Sequence, residues 1–129
     1  MITQRDRDIT RIRYILKHCS AVKLAHKSFR DDKELFLDEE NGIVYRNAVI
    51  MSILQIGEIA NSLSDEFIKS HSDVPWRDII RMRHIAVHHY YKLEYETVWN
   101  TSKQRVPELA DKIRAILDEL EREEQEDKL

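Results

Sequence analysis

Glycine and proline each occur only twice in 129 residues. Tight turns are therefore scarce, and an architecture of short strands joined by hairpins is excluded. The single cysteine, Cys19, excludes an internal disulfide and any zinc site built on several thiolates. Long apolar runs are missing too: the longest, Ala48 to Leu54, is interrupted by Ser52 and is too short to cross a bilayer. The opening residues, MITQRDRDITRIR, are charged from the fifth position on and lack the apolar core of a secretory signal. These absences lead to the expectation of a soluble, cytoplasmic chain with no membrane association. Its length fits one domain, residues 1–129.

What is present is helix-forming. Hydrophobic residues make up 42% and charged residues 35%, and Leu, Ile, Ala, Glu, Lys and Arg are plentiful. From Thr3 to Phe29, Ile9, Ile12, Leu16, Cys19 and Val22 recur at helical spacing, which predicts one long amphipathic helix. Asn41-Gly42 breaks the chain before a second helix, Ile43 to Leu63. Within it, AVIMSILQIGEIA is apolar on more than one stripe and must be covered on more than one side, by its own chain or by another subunit. Gly57 lowers the stability of that helix by roughly 1 kcal/mol against alanine, which marks a close helix–helix approach. Ser64-Asp65-Glu66 starts a short helix ending near His71, and a further helix runs from Trp76 to Tyr90, with Trp76, Ile79, Ile80, Arg83, Val87 and Tyr90 near one side at helical spacing. From Glu94 a last helical region follows, kinked or split by Pro107. The fold class is all-α, an up-and-down bundle of four to five helices. Its acidic end, from about Glu121, frays into solvent.

Net charge is −3, so the whole chain does not announce a nucleic-acid binder. Residues 76–92 are an exception: Arg77, Arg81, Arg83 and Lys92 stand against Asp78 alone, with His84, His88 and His89 among them. Arg83 is followed by four residues, His88, one residue and Tyr90. RNA offers a chemistry suited to these groups. An imidazole with an ordinary pKa of about 6.5 removes the 2′-hydroxyl proton, and the oxygen attacks the adjacent phosphodiester. A guanidinium, always charged and fork-shaped, stabilises the phosphate's developing charge. No metal or other cofactor is needed, and DNA, lacking the 2′-hydroxyl, is not cut this way. The spacing by itself is unspecific, since Arg13 and His18 share it. Five residues along an ideal helix also separate two side chains by ~140°. Arg83 and His88 converge only if Arg83 reaches around, if the helix ends near His88, or if two copies meet.

The surroundings are more specific. AVIMSILQIGEIANSLSDEF, then VPWRDIIRMRHIAVHHYYKLEYETVW, then VPELADKI resemble, in order and spacing, the HepT-like branch of the HEPN superfamily. The central piece carries most of the resemblance: Trp76 opening a helix, Met82-Arg83, a polar residue, then Val87-His88, one residue, and Tyr90. The resemblance implies a helical homodimer whose Arg and His motifs from both subunits line one cleft. It implies a metal-independent endoribonuclease, the toxin of a toxin–antitoxin pair, whose partner is a minimal nucleotidyltransferase. By position, Arg83 and His88 are the implied catalytic pair. Tyr90 is the implied site of AMP transfer, a modification whose anionic charge would repel RNA phosphates. His84 stands where the family often has Asn, and Arg81 and His89 where Asp or Gly is more usual, which makes this site more basic.

Each functional reading has a plainer rival. His88 could be a partly buried helix histidine without a task. His84 and His88, four residues apart, could hold a metal, but no carboxylate is evidently placed to complete the set. His84 is read instead as a phosphate-contacting or orienting group, Tyr90 as functional and Tyr91 as packing. Trp76 and Trp99 are read as core. Gln55 and Glu58 either face the cleft and orient Arg83 or are exposed. The alternative in another functional class is a non-catalytic HEPN module that binds a nucleotidyltransferase and presents a substrate or nucleotide to it.

Overall fold

A computed structural model describes residues 1–88 and 94–128, and all regular structure within them is helical. The elements are α1 (Gln4–Ser28), α2 (Lys33–Leu37), α3 (Ile43–Asn61), α4 (Asp65–Ser70), α5 (Trp76–Val87), α6 (Tyr95–Asn100), a π-helical segment (Thr101–Arg105) and α7 (Val106–Asp127). The described residues thus hold seven α-helices where four to five were expected; α2, α4 and α6 have only five or six residues each. Side-chain oxygens start several of them. Thr3 and Asp6 form a reciprocal capping box on α1, Asp32 caps α2, and Ser64 caps α4.

α1 and α7 run antiparallel, linked by Arg5–Glu123 at 3.2 Å near one end and Lys103–Asp31 at 2.8 Å near the other. α3 packs between α1 and α5. The core gathers Ile12, Ile15, Val49, Ile53, Met82 and Ile113, all essentially inaccessible to water. Deleting the side chain of any one to alanine would cost about 2–5 kcal/mol. By length and composition α3 could also cross a membrane. Here, however, Val49, Ile53, Ile56 and Ala60 are buried in the bundle.

Three polar groups inside the bundle define its joints. Asp8, buried on α1, accepts from the Ser64 backbone N–H at 3.0 Å and from its hydroxyl at 2.6 Å, tying α1 to the start of α4. Arg46, buried on α3, donates to the carbonyls of Phe36, Asp38 and Glu39 and lies over the Tyr95 ring, 3.9 Å from its centroid. His26, buried near the end of α1, sits among Phe29, Phe36 and Trp99. Trp76 is buried and Trp99 half-buried against the core, in keeping with their assignment from the sequence.

Pro107 marks a change of form in the last helical region, where a π segment separates α6 from α7. It sits in the first turn of α7, directly after the π segment, where the Val106 N–H reaches back five residues to the Thr101 carbonyl. The wider turn accommodates a residue that lacks an N–H and whose ring crowds the carbonyl four residues earlier. From Glu121 on the described residues are exposed, yet α7 stays helical to Asp127.

Candidate functional site

α3 and α5 cross at Gly57. A Cβ built there would fall 2.5 Å from Arg83 Cγ, 3.0 Å from Arg83 N and 3.4 Å from the Ile79 carbonyl oxygen. The missing side chain lets the two helices meet at backbone distance, as the glycine's place in an apolar helix suggests. Glu58, the next residue, accepts from Arg83 Nε at 2.8 Å. Of the two readings of Glu58, exposed or oriented on Arg83, the pair shows both: the carboxylate is about half exposed and holds the guanidinium. Among the described residues Glu58 is the one hydrogen-bond partner of the Arg83 side chain. Arg83 also lines an open groove together with Glu58, Ile80, Arg81, His84 and Val87, and its two terminal nitrogens carry four N–H groups.

The helix bearing these groups is shorter than its periodicity predicts. α5 ends at Val87, and His88 is its C-cap, with φ −100° and ψ 12° and its N–H on the His84 carbonyl. The ending near His88 is one of the conditions under which Arg83 and His88 can serve one substrate. The exposed His84 and half-buried His88 rings lie 4.3 Å apart between centroids, tilted by 58°. Among the described residues no group of three His, Cys, Asp or Glu side chains is arranged to hold a metal. Tyr90, together with His89 and Tyr91, lies outside the described residues.

The buried stripe of α5 differs from its sequence reading. Trp76, Ile79, Met82 and Ala86 face the core, whereas Arg83 and Val87 lie on the neighbouring, open side. Val87 is 57% exposed. It continues an apolar line on α3, where Val44 is 71% and Met51 57% exposed. At seven-residue spacing, Val44, Met51 and Glu58 share one side of that helix, so the apolar line ends at the carboxylate holding Arg83.

Sequence reasoning missed His26. Its Nε2 lies 2.8 Å from Ser102 Oγ and its Nδ1 3.1 Å from Asp31 Oδ1. Burial, then the Lys103 charge, hold its pKa below the usual histidine value, against the opposing pull of Asp31. Burial also pushes the Cys19 thiol up to about 12.

A helical bundle that lines one groove with the Arg83 guanidinium and the His84 imidazole, with the His88 ring 4.3 Å from that of His84, has the donors and the proton carriers that phosphodiester chemistry requires. The chain belongs to the HepT-like ribonuclease family, whose model, Ribonuclease HepT-like, matches residues 19–116. It is 34% identical, over 80 residues, to a protein of Methanocaldococcus jannaschii provisionally named an RNase, covering 62% of this chain and 66% of that one. A protein of Caldanaerobacter subterraneus, also provisionally named an RNase, is 36% identical over 74 residues, 57% of this chain and 66% of its own. A protein of Thermococcus cleftensis, provisionally named ribonuclease HepT, is 32% identical over 69 residues, 54% of this chain and 63% of its own. The matches thus span just under two thirds of each of these relatives. No solved structure matches the chain.

Proposed function

We propose that this chain is a metal-independent endoribonuclease, acting in the cytoplasm as the toxin of a pair whose antitoxin is a minimal nucleotidyltransferase. The observation that carries the reading is the Arg83 guanidinium, held by Nε on Glu58 and lining an open groove with His84, in a chain of the HepT-like family. The names of its relatives, RNase and ribonuclease HepT, supply the substrate class.

In the proposed reaction His88 takes the proton of a ribose 2′-hydroxyl. The 2′-oxygen bonds to phosphorus, the bond to the 5′-oxygen breaks, and that oxygen leaves with a proton taken from water, while His88 returns its own proton to solvent. The products are a 2′,3′-cyclic phosphate and a 5′-hydroxyl. Arg83 bridges two phosphate oxygens as charge builds on them, and His84 contacts or orients the phosphate. The working unit is a homodimer, in which the exposed line of Val44, Met51 and Val87 is covered by a second copy and two Arg83–His88 pairs face one cleft. Transfer of AMP to Tyr90, two residues after His88 in the sequence, would silence the enzyme through the repulsion of RNA by the added anionic phosphate.

The test uses purified wild type and His88→Ala with RNA in the presence of a chelator. Cleavage by wild type alone, with cyclic-phosphate ends and no cutting at a 2′-deoxy position, supports the reading. Intact RNA with both proteins overturns it in favour of a non-catalytic module that binds the nucleotidyltransferase.

A further inference from the structure

Outside the Arg83 groove, a cavity of about 350 Å³ lies between the second half of α1 and the π segment with the start of α7. None of its lining residues belongs to α3 or α5. It exists because small side chains meet there: Cys19 and Ser20 on α1 face Ser102, Pro107 and Ala110 across the widened turn. A π turn inserted in a helix often marks a functional position.

Its floor is built from buried groups. Val22, Val106 and Ala110 supply apolar surface, and His26 and Ser102, both buried, supply a fixed polar pair. Behind them Asp31 is brought to His26 by two successive residues with left-handed backbone, Arg30 at φ 58° and Asp31 at φ 53°. That conformation is costly for residues with side chains and persists only where its surroundings enforce it.

The rim is positively charged. Lys23, Lys27, Lys103 and Arg114 stand against Asp31 and Asp111. Lys103 is engaged by Asp31 at 2.8 Å and Arg114 by Asp111 at 3.2 Å. Lys23 and Lys27 have no carboxylate partner among the described residues, although the chain as a whole is acidic. Four residues apart on one helix, these two ammonium groups repel each other, and an anion between them would remove that repulsion.

We propose that this cavity is a second binding site, for a small organic anion whose apolar body rests on Val22, Val106 and Ala110 and whose carboxylate or phosphate meets Lys23 and Lys27 above His26 and Ser102. The volume is at the lower end of ligand pockets, which limits the guest to a single ring or a short chain with its charged head. The site is independent of the ribonuclease reading, because no residue of the Arg83 groove takes part.

The experiment is an NMR titration of the full chain with benzoate, with phenyl phosphate and with neutral benzyl alcohol, following backbone amides and the His26 ring. Saturable shifts at Val22, His26, Ser102 and Ala110 with either anion, at least tenfold weaker with benzyl alcohol, are expected. Whether benzoate or phenyl phosphate binds more tightly identifies the head group. Lys23→Glu combined with Lys27→Glu should weaken anion binding at least tenfold. Ser20→Phe, at an exposed position on the rim, should obstruct it in a folded protein. The proposal is overturned if neither anion shifts these residues at millimolar concentration, if benzyl alcohol binds as well as the anions, or if the double lysine variant binds them unchanged.

Discussion

Arg83 presents three side-chain nitrogens, and among the described residues Nε is the one held by a hydrogen bond. Because Nε is held by Glu58, the fork is pre-aimed, and a substrate phosphate need not organise a free side chain before binding it. If the proposed cleavage operates, Arg83→Lys should lower kcat roughly 100-fold, the order expected for losing a positioned donor to developing charge. In the proposed reaction Glu58 acts through Arg83 as a positioning residue. Glu58→Ala should cost roughly tenfold in kcat with KM little changed, whereas Glu58→Gln, which keeps the acceptor oxygen, should recover most of it; equal rates for the two variants would refute this role. Thermal unfolding should scarcely move, because a half-exposed pair contributes at most about 1 kcal/mol. His26 gives a separate prediction. Its pKa in the fold lies below the ordinary 6.5, mainly through burial and secondarily through Lys103. The folded state therefore favours the neutral ring. The associated stability is complete above about pH 6.5 and is lost as pH falls through the lower folded value. Asp31, held below its usual range chiefly by its hydrogen bond from Lys103, stays ionised through that window. The urea midpoint of wild type should fall between about pH 7 and pH 5 by more than that of His26→Gln; parallel falls would place the pH dependence elsewhere.

At the scale of elements, the α3–α5 crossing depends on Gly57. Alanine is the better helix former by roughly 1 kcal/mol, but its methyl group would meet the stem and backbone of Arg83 rather than a mobile side-chain tip. Gly57→Ala should therefore destabilise the fold by about 1–3 kcal/mol net, measured as a lower thermal midpoint, and displace α5 together with its guanidinium. A raised midpoint would show that the crossing yields. This contact was legible in advance, because a glycine weakens an apolar helix and is best compensated where a neighbouring helix comes close. The long helices were legible from their apolar repeats as well. The buried stripe of α5 was not: Ile80 and Val87 are as apolar as Ile79 and Ala86, and periodicity cannot tell a core-facing side chain from one at an uncovered surface. Nor was the π segment, whose reach of five residues leaves no mark on hydrophobic spacing beyond the nearby Pro107. His26 was missed for a third reason. Its burial depends on Ser102, 76 residues away, and on a left-handed turn made without glycine. The Arg83–His88 motif was legible only through family resemblance, and Glu58 only as one of two options, since spacing does not say which helices touch.

For the whole molecule, the decisive question is what covers the apolar line of α3. Its other sides pack against α1 and α5, and the Arg83 groove opens at the end of this line, beside the equally uncovered Val87. In the proposed reaction, one guanidinium and its neighbouring imidazoles on an open surface would leave the phosphate in water, where their charges are screened. A second copy would exclude water and double the donors, and electrostatic stabilisation is much larger in such a site. Val44→Glu with Met51→Glu places charge on both exposed positions while leaving the buried face of α3 intact, so helicity and the unfolding midpoint of the isolated subunit should be retained. Sedimentation should show wild type as a dimer and the variant as a monomer at micromolar concentration. Cleavage per subunit by the variant should fall at least about 100-fold, comparable to losing a major electrostatic contributor outright. Wild-type specific activity should itself decline on dilution through the dissociation range. A monomeric variant that cuts RNA at the wild-type rate would locate the whole reaction within one chain, and the exposed line of α3 would then need another partner to cover it.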